Sequence, residues 1–159
     1  MDYSDLTLGA LRLFQQQPQV LRAYRAQFDH ILVDELQDSS TVQYAWLRRL
    51  AGGWGGSVGG SHTGSGVRGG TIFCAADDDQ SIYGWRGAER SNVLRFQQEF
   101  PELEVIRLTR SYRCSPHVLG SAQALLAHAG ESVPKTCYSQ RGGEGAPRVL
   151  LRGFWDSHE

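Results

Sequence analysis

The sequence predicts an α/β fold, a mostly parallel sheet with flanking helices. The short apolar run His30-Ile31-Leu32-Val33 suits a strand covered on both faces, as in a parallel sheet, and Thr71–Ala76 reads as a second strand. Segments of helical apolar period lie between those strands, the alternation that a parallel sheet requires. Each predicted strand ends in a polar cluster, and in open α/β sheets ligands sit outside the carboxyl ends of the strands.

In chain order, Leu8, Leu11 and Phe14 mark a helix over 6–16, which Pro18 breaks. Residues 19–27 predict a second short helix, and 30–33 a first strand. Ser39 and Ser40 are N-cap residues for a helix from Thr41 to Leu50. A second strand covers Thr71–Ala76, and a helix covers Ser91–Glu99, stopping before Pro101. Glu104–Leu108 predicts a third strand. Ser115-Pro116 opens a helix to His128 with a cap and a proline at its first position. Residues 142–147 form a linker, and Arg148–Arg152 starts a further strand.

Composition limits the function. The 159 residues carry 16 basic and 17 acidic side chains, a net charge of -1, which excludes a strongly basic nucleic-acid binder but not local basic contacts. No apolar run reaches the 18 or so residues of a membrane span, so no membrane partner is expected, and the N-terminus lacks the pattern of a secretory signal. Cys74, Cys114 and Cys137 are three and widely spaced, which fits a reducing compartment better than a disulfide framework. Ten of the 19 glycines fall within residues 52–70, a low-complexity stretch expected to be a disordered surface insertion.

The chemistry lies in the polar clusters. Strand one ends in Asp34-Glu35-Leu36-Gln37-Asp38, strand two in Asp77-Asp78-Asp79-Gln80, and strand three in Thr109-Arg110-Ser111-Tyr112-Arg113. Brought together, they would supply what a magnesium-bound polyphosphate needs. A carboxylate holds the metal, a second orients water, and a glutamine and an arginine meet the terminal phosphate. The blander alternatives are a solvated strand end for Asp34-Glu35 and an exposed acidic turn for the three aspartates. Beyond Gln80, Tyr83 and Trp85 with Arg86 are the makings of a stacking platform for single-stranded bases.

VDELQD, DDDQSIYGWRGA and LTRSYRCSP, in this order, resemble motifs II, III and IV of the UvrD-type superfamily-one DNA helicases. The resemblance covers residues 1–128 apart from the glycine-rich insertion, and more weakly the tail from Arg148. It implies a helical lead-in over 1–28, a partial RecA-like motor domain over 29–128, and a linker with the start of a second motor domain over 129–159. By resemblance, Asp34 binds Mg2+ with Glu35, and Glu35 is the base toward the hydrolytic water. Gln80 senses the γ-phosphate of ATP, Tyr112 stacks on the adenine, and Arg113 contacts the γ-phosphate. Tyr83, Trp85 and Arg86 meet the bases of the tracking strand. The implied activity is ATP-driven 3′ to 5′ movement on single-stranded DNA and at duplex junctions. The implied setting is intracellular: the cytoplasm or nucleoid of a bacterium, or the nucleus or a DNA-containing organelle of a eukaryote.

The sequence also departs from that pattern. No GxxxxGK[ST] phosphate loop occurs, and the one lysine, Lys135, lies in an unrelated context. Ala76 stands where the family has glycine, and Ser111 where asparagine is common. The chain is therefore expected to be an internal fragment that needs the remainder of the motor, and to hydrolyse no ATP alone. Losing the phosphate-loop strand should uncover Ile31, Val33 and Ile72. Two other functions compete: a non-catalytic single-strand-binding remnant, and a two-metal nuclease built on Asp34, Glu35 and the three aspartates.

Overall fold

The computed structural model describes residues 2–52, 70–100, 102–128, 135–142 and 149–150. Residues 53–69 of the glycine-rich insertion at 52–70, most of the linker at 142–147, and the strand expected at 148–152 apart from residues 149–150 lie outside them. The chain forms two units, Met1–Glu104 and Val105–Glu159.

The first unit runs α1 (Tyr3–Gln16), α2 (Pro18–Gln27), β1 (His30–Val33), α3 (Thr41–Ala51), β2 (Thr71–Cys74) and α4 (Ser91–Glu99). Helix α1 starts at Tyr3, three residues before the expected Leu6. Asp2 and Asp5 form a reciprocal capping box there, satisfying amides that a helix start leaves open. Pro18 opens α2 at its first turn, where its missing N–H costs nothing. Ser40 caps α3 in a second capping box with Gln43. At the other end of α3, Arg25 donates its Nε to the carbonyls of Arg49 and Leu50 at 3.1 Å each, and its Nη2 also reaches the Arg49 carbonyl. A cation there complements the helix dipole. Gly52 makes room for it, since a Cβ would lie 2.9 Å from both Arg25 Nη2 and the Arg48 carbonyl.

Strands β1 and β2 pair in parallel, His30 opposite Thr71 through Val33 opposite Cys74. The pairing fits the sequence expectation; the double-sided burial does not. Ile31, Val33, Ile72 and Cys74 point into a core built on Leu36, Tyr44, Leu47 and Phe96. Leu32 and Phe73, opposite each other in register, are 77% and 63% exposed. The expectation that Ile31, Val33 and Ile72 would be uncovered is thus corrected. Helices α3 and α4 supply apolar side chains on one face of the pair, and among the described residues none covers the other. A second core, around Phe14, Leu21 and Leu50, joins α1 and α2 to α3 through Trp46, whose ring stacks on Phe14 at 5.9 Å. Tyr44 Oη donates to Glu99 at 2.8 Å, and Arg48 Nε meets the same carboxylate at 2.8 Å, tying α3 to α4.

The second unit holds β3 (Arg110–Ser111), α5 (Pro116–Leu126) and β4 (Tyr138–Ser139). β3 and β4 pair in parallel, and Ser115 caps α5. The strand expected at Glu104–Leu108 is absent. Those residues are exposed and join no sheet among the described residues. Pairing begins at Arg110 instead. Helix α5 ends at Leu126, two residues before the expected His128.

Candidate nucleotide and nucleic-acid site

Backbone pairing continues beyond β1 and β2. Ala75 N–H donates to the Val33 carbonyl at 2.8 Å, and Leu36 N–H to the Ala75 carbonyl at 3.1 Å. This sets the two acidic clusters side by side at the carboxyl ends of the strands. Asp34 and Glu35 are both exposed there, and Asp34 Oδ1 accepts the Glu35 N–H at 3.1 Å. Glu35 has φ 53° and ψ 46°, the one non-glycine residue with positive φ among those described. A left-handed conformation costs an L-residue roughly 1–2 kcal/mol, so the surroundings must hold it.

Gln37 does much of that holding. It is 1% exposed, and its Nε2 donates to Glu35 Oε2 at 2.6 Å while its Oε1 accepts the Asp77 N–H at 3.0 Å. Asp77 in turn accepts Gln80 Nε2 at 2.6 Å and the Asp79 N–H at 3.2 Å. Asp78 lies 3.5 Å from Arg90. Asp77, Asp78 and Asp79 each offer an oxygen within 4.8 Å of the others. Asp77 and Asp78 already hold local structure, which weakens the two-metal arrangement. Asp34 fits a magnesium ion better. It is exposed and its carboxylate takes one backbone donor, leaving room for a cation that keeps several waters.

Past Gln80 the chain turns through an exposed loop. Tyr83 and Trp85 lie edge to face, ring centres 6.3 Å apart at 64°. The Arg86 guanidinium sits 5.4 Å from the Tyr83 ring centre and 4.9 Å from that of Trp85. Trp85 is 76% exposed, so a broad π-surface remains open to solvent. Gly87, at φ 85°, closes the turn in a conformation only glycine takes without strain. The loop is then pinned to the segment after β1. Ser40 and Ala88 form an antiparallel bridge, and Glu89 N–H donates to the Ser39 carbonyl at 3.0 Å. The fully buried Asn92 donates to the same carbonyl at 2.9 Å.

The structure therefore brings Asp34, Glu35 and Gln80 to one edge and carries Tyr83, Trp85 and Arg86 on the loop that leaves it. Tyr112 and Arg113 belong to the second unit, where both are exposed. There Arg110 Nε donates to Tyr138 Oη at 3.0 Å, and its guanidinium lies 5.5 Å from that ring centre. Hydrogen bonds to Tyr138 and Tyr112 raise the pKa of Arg110 above its ordinary value. Sequence reasoning missed Gln37 and Asn92. The only signal for either was an amide side chain among residues of opposite role, Gln37 between two acids and Asn92 opening a helix.

This is an α/β chain with a hydrogen-bonded acidic edge beside an exposed aromatic loop. Residues 1–101 match the UvrD/REP helicase N-terminal domain, and the chain belongs to that family. It is 38% identical over 154 residues to DNA helicase II of Escherichia coli, covering 97% of this chain and 19% of that protein. It is 35% identical over its full length to a probable DNA helicase II homolog of Rickettsia felis, 22% of that protein. It is 34% identical over 142 residues to the ATP-dependent DNA helicase PcrA of Leuconostoc citreum, covering 89% of this chain and 17% of that protein. The chain spans about a fifth of the length of these relatives.

Proposed function

We propose that the chain supplies part of an intracellular, ATP-dependent DNA helicase motor that moves 3′ to 5′ on single-stranded DNA. The observation that carries this reading is the continuous path from Glu35 through Gln37, Asp77 and Gln80 to the Tyr83–Trp85 loop. One end has the groups that hydrolysis requires; the other has a surface on which bases stack. Glu35 orients and deprotonates water, and Gln80 contacts the terminal phosphate of ATP. Tyr112 and Arg113 contact the adenine and the γ-phosphate, in a partial RecA-like arrangement whose motifs II, III and IV are those named above. Mg2+, held by Asp34 with Glu35 beside it, would neutralise phosphate charge.

A GxxxxGK[ST] loop is missing from these 159 residues, so the β- and γ-phosphates lack their main electrostatic contacts. The 159-residue chain alone is therefore expected to show no ATP turnover above background, and the remainder of the motor must supply the loop. Turnover that disappears in Glu35→Gln would overturn this expectation. The exposed Trp85 ring also supports a second reading, a single-strand-binding protein without a motor. Both readings require the aromatic loop to bind. Trp85→Ala should weaken binding of a fluorescein-labelled dT oligonucleotide, read by anisotropy, by a factor of roughly 5 to 150, the worth of one base stack. Unchanged affinity would remove the loop from both readings.

A further inference from the structure

We propose that Gln37 is a positioning residue that couples Gln80 to Glu35. It rests on the reading of Glu35 and Gln80 given above, but the coupling is a property of this chain with no nucleotide bound.

The argument begins with what an amide can do. A glutamine side chain has one end that only accepts and one that only donates. The two partners of Gln37 are equally one-sided. The Asp77 N–H can only donate, and Glu35 Oε2 stands as the acceptor. One orientation of the amide satisfies both; the reverse sets N–H against N–H and oxygen against oxygen. At 1% exposure no water replaces either bond, so the amide is locked.

A locked amide transmits displacement. Gln80 is exposed and reaches Asp77 Oδ2 at 2.6 Å. When Gln80 turns toward another partner, Asp77 loses that donor, and its backbone N–H shifts against Gln37 Oε1. Gln37 cannot rotate to absorb the shift and passes it to Glu35 Oε2. Glu35 is receptive because its left-handed backbone is held by contacts rather than by its own preference. Three hydrogen bonds, none longer than 3.0 Å, thus connect the two groups.

The test uses the 159-residue chain with 13C-labelled glutamate and reads the Glu35 Cδ resonance by NMR. Gln80→Ala, a change at an exposed side chain, is expected to shift that resonance. In the Gln37→Met background, which keeps the buried volume and removes both amide bonds, the same Gln80→Ala change is expected to leave it still. If Gln37→Met does not fold, Asp77→Ala breaks the path one step earlier and should silence the effect equally. A Glu35 resonance unmoved by Gln80→Ala, or one that moves as much in the Gln37→Met or Asp77→Ala background, overturns the proposal. A role in packing alone would change the baseline spectrum but not this dependence of one substitution on the other. ATP turnover and oligonucleotide affinity, measured separately, decide the functional reading, so the two failures are distinguishable.

Discussion

Two buried amides, Gln37 and Asn92, hold together segments whose apolar pattern says nothing about them. Asn92 is fully buried at the start of α4 and donates to the Ser39 carbonyl at 2.9 Å and to Ser39 Oγ at 3.3 Å. Its Oδ1 has no hydrogen-bond partner among the described residues, so half of its capacity is unused there. Removing it still strips the turn after β1 of a donor in a place water does not reach. Asn92→Ala is expected to destabilise the fold by about 1–3 kcal/mol, visible as a lower urea midpoint. Asn92→Asp is expected to cost more, because it buries a charge and replaces the donating NH2. A midpoint unchanged in Asn92→Ala would show that the Ser39 carbonyl is satisfied by the Glu89 N–H alone.

Among the elements, helices were the more legible. Ser40 and Ser115 cap α3 and α5 as their sequence positions predict, and α4 spans the expected Ser91–Glu99. A cap is a local interaction, so local sequence reports it. Ser40→Ala should remove the bond to the Gln43 N–H, 3.2 Å, and lower stability by about 1 kcal/mol, read from the same urea curve. Strands were legible only where a partner lies nearby. Ile31-Leu32-Val33 and Ile72-Phe73-Cys74 pair as expected, while Val105-Ile106-Arg107-Leu108, also apolar in look, joins no sheet among the described residues. Pairing is a property of two segments, and neither one contains it. The candidate site divides the same way. That Asp34, Glu35 and Gln80 follow the ends of two strands was legible, while the roles of these residues and of Tyr83 and Trp85 come from the resemblance and stand as proposals. The Gln37 relay was not legible, because it depends on which backbone N–H stands opposite a side chain.

At the scale of the whole molecule, alkaline pH should weaken the fold. Burial pushes the Cys74 thiol from its ordinary 9.0 up to about 12. Tyr44 is held above its ordinary value by burial first and then by its hydrogen bond to Glu99. Both groups stay protonated in the folded chain after they have begun to ionise in the unfolded one. The unfolded state then binds fewer protons, and stability falls as pH rises. For Cys74 the contribution is complete below pH 9 and is lost progressively toward pH 12. Urea midpoints are expected to decline over that window, and Cys74→Val should make the decline shallower. A midpoint flat from pH 8 to 11 would contradict the burial of both groups.

The one-sided burial of the β1–β2 pair has a consequence for which changes this chain tolerates. In a sheet covered on both faces, every second position resists polar substitution as strongly as its neighbours. Here the resistance alternates. Leu32→Thr and Phe73→Thr replace exposed apolar groups with a β-branched residue that suits a strand, so they should leave the urea midpoint nearly unchanged and raise the concentration at which the chain precipitates. Ile31→Thr, one position away, should lower the midpoint sharply. Adjacent positions in these described residues therefore answer a polar substitution in opposite ways, weakly at Leu32 and Phe73 and strongly at Ile31.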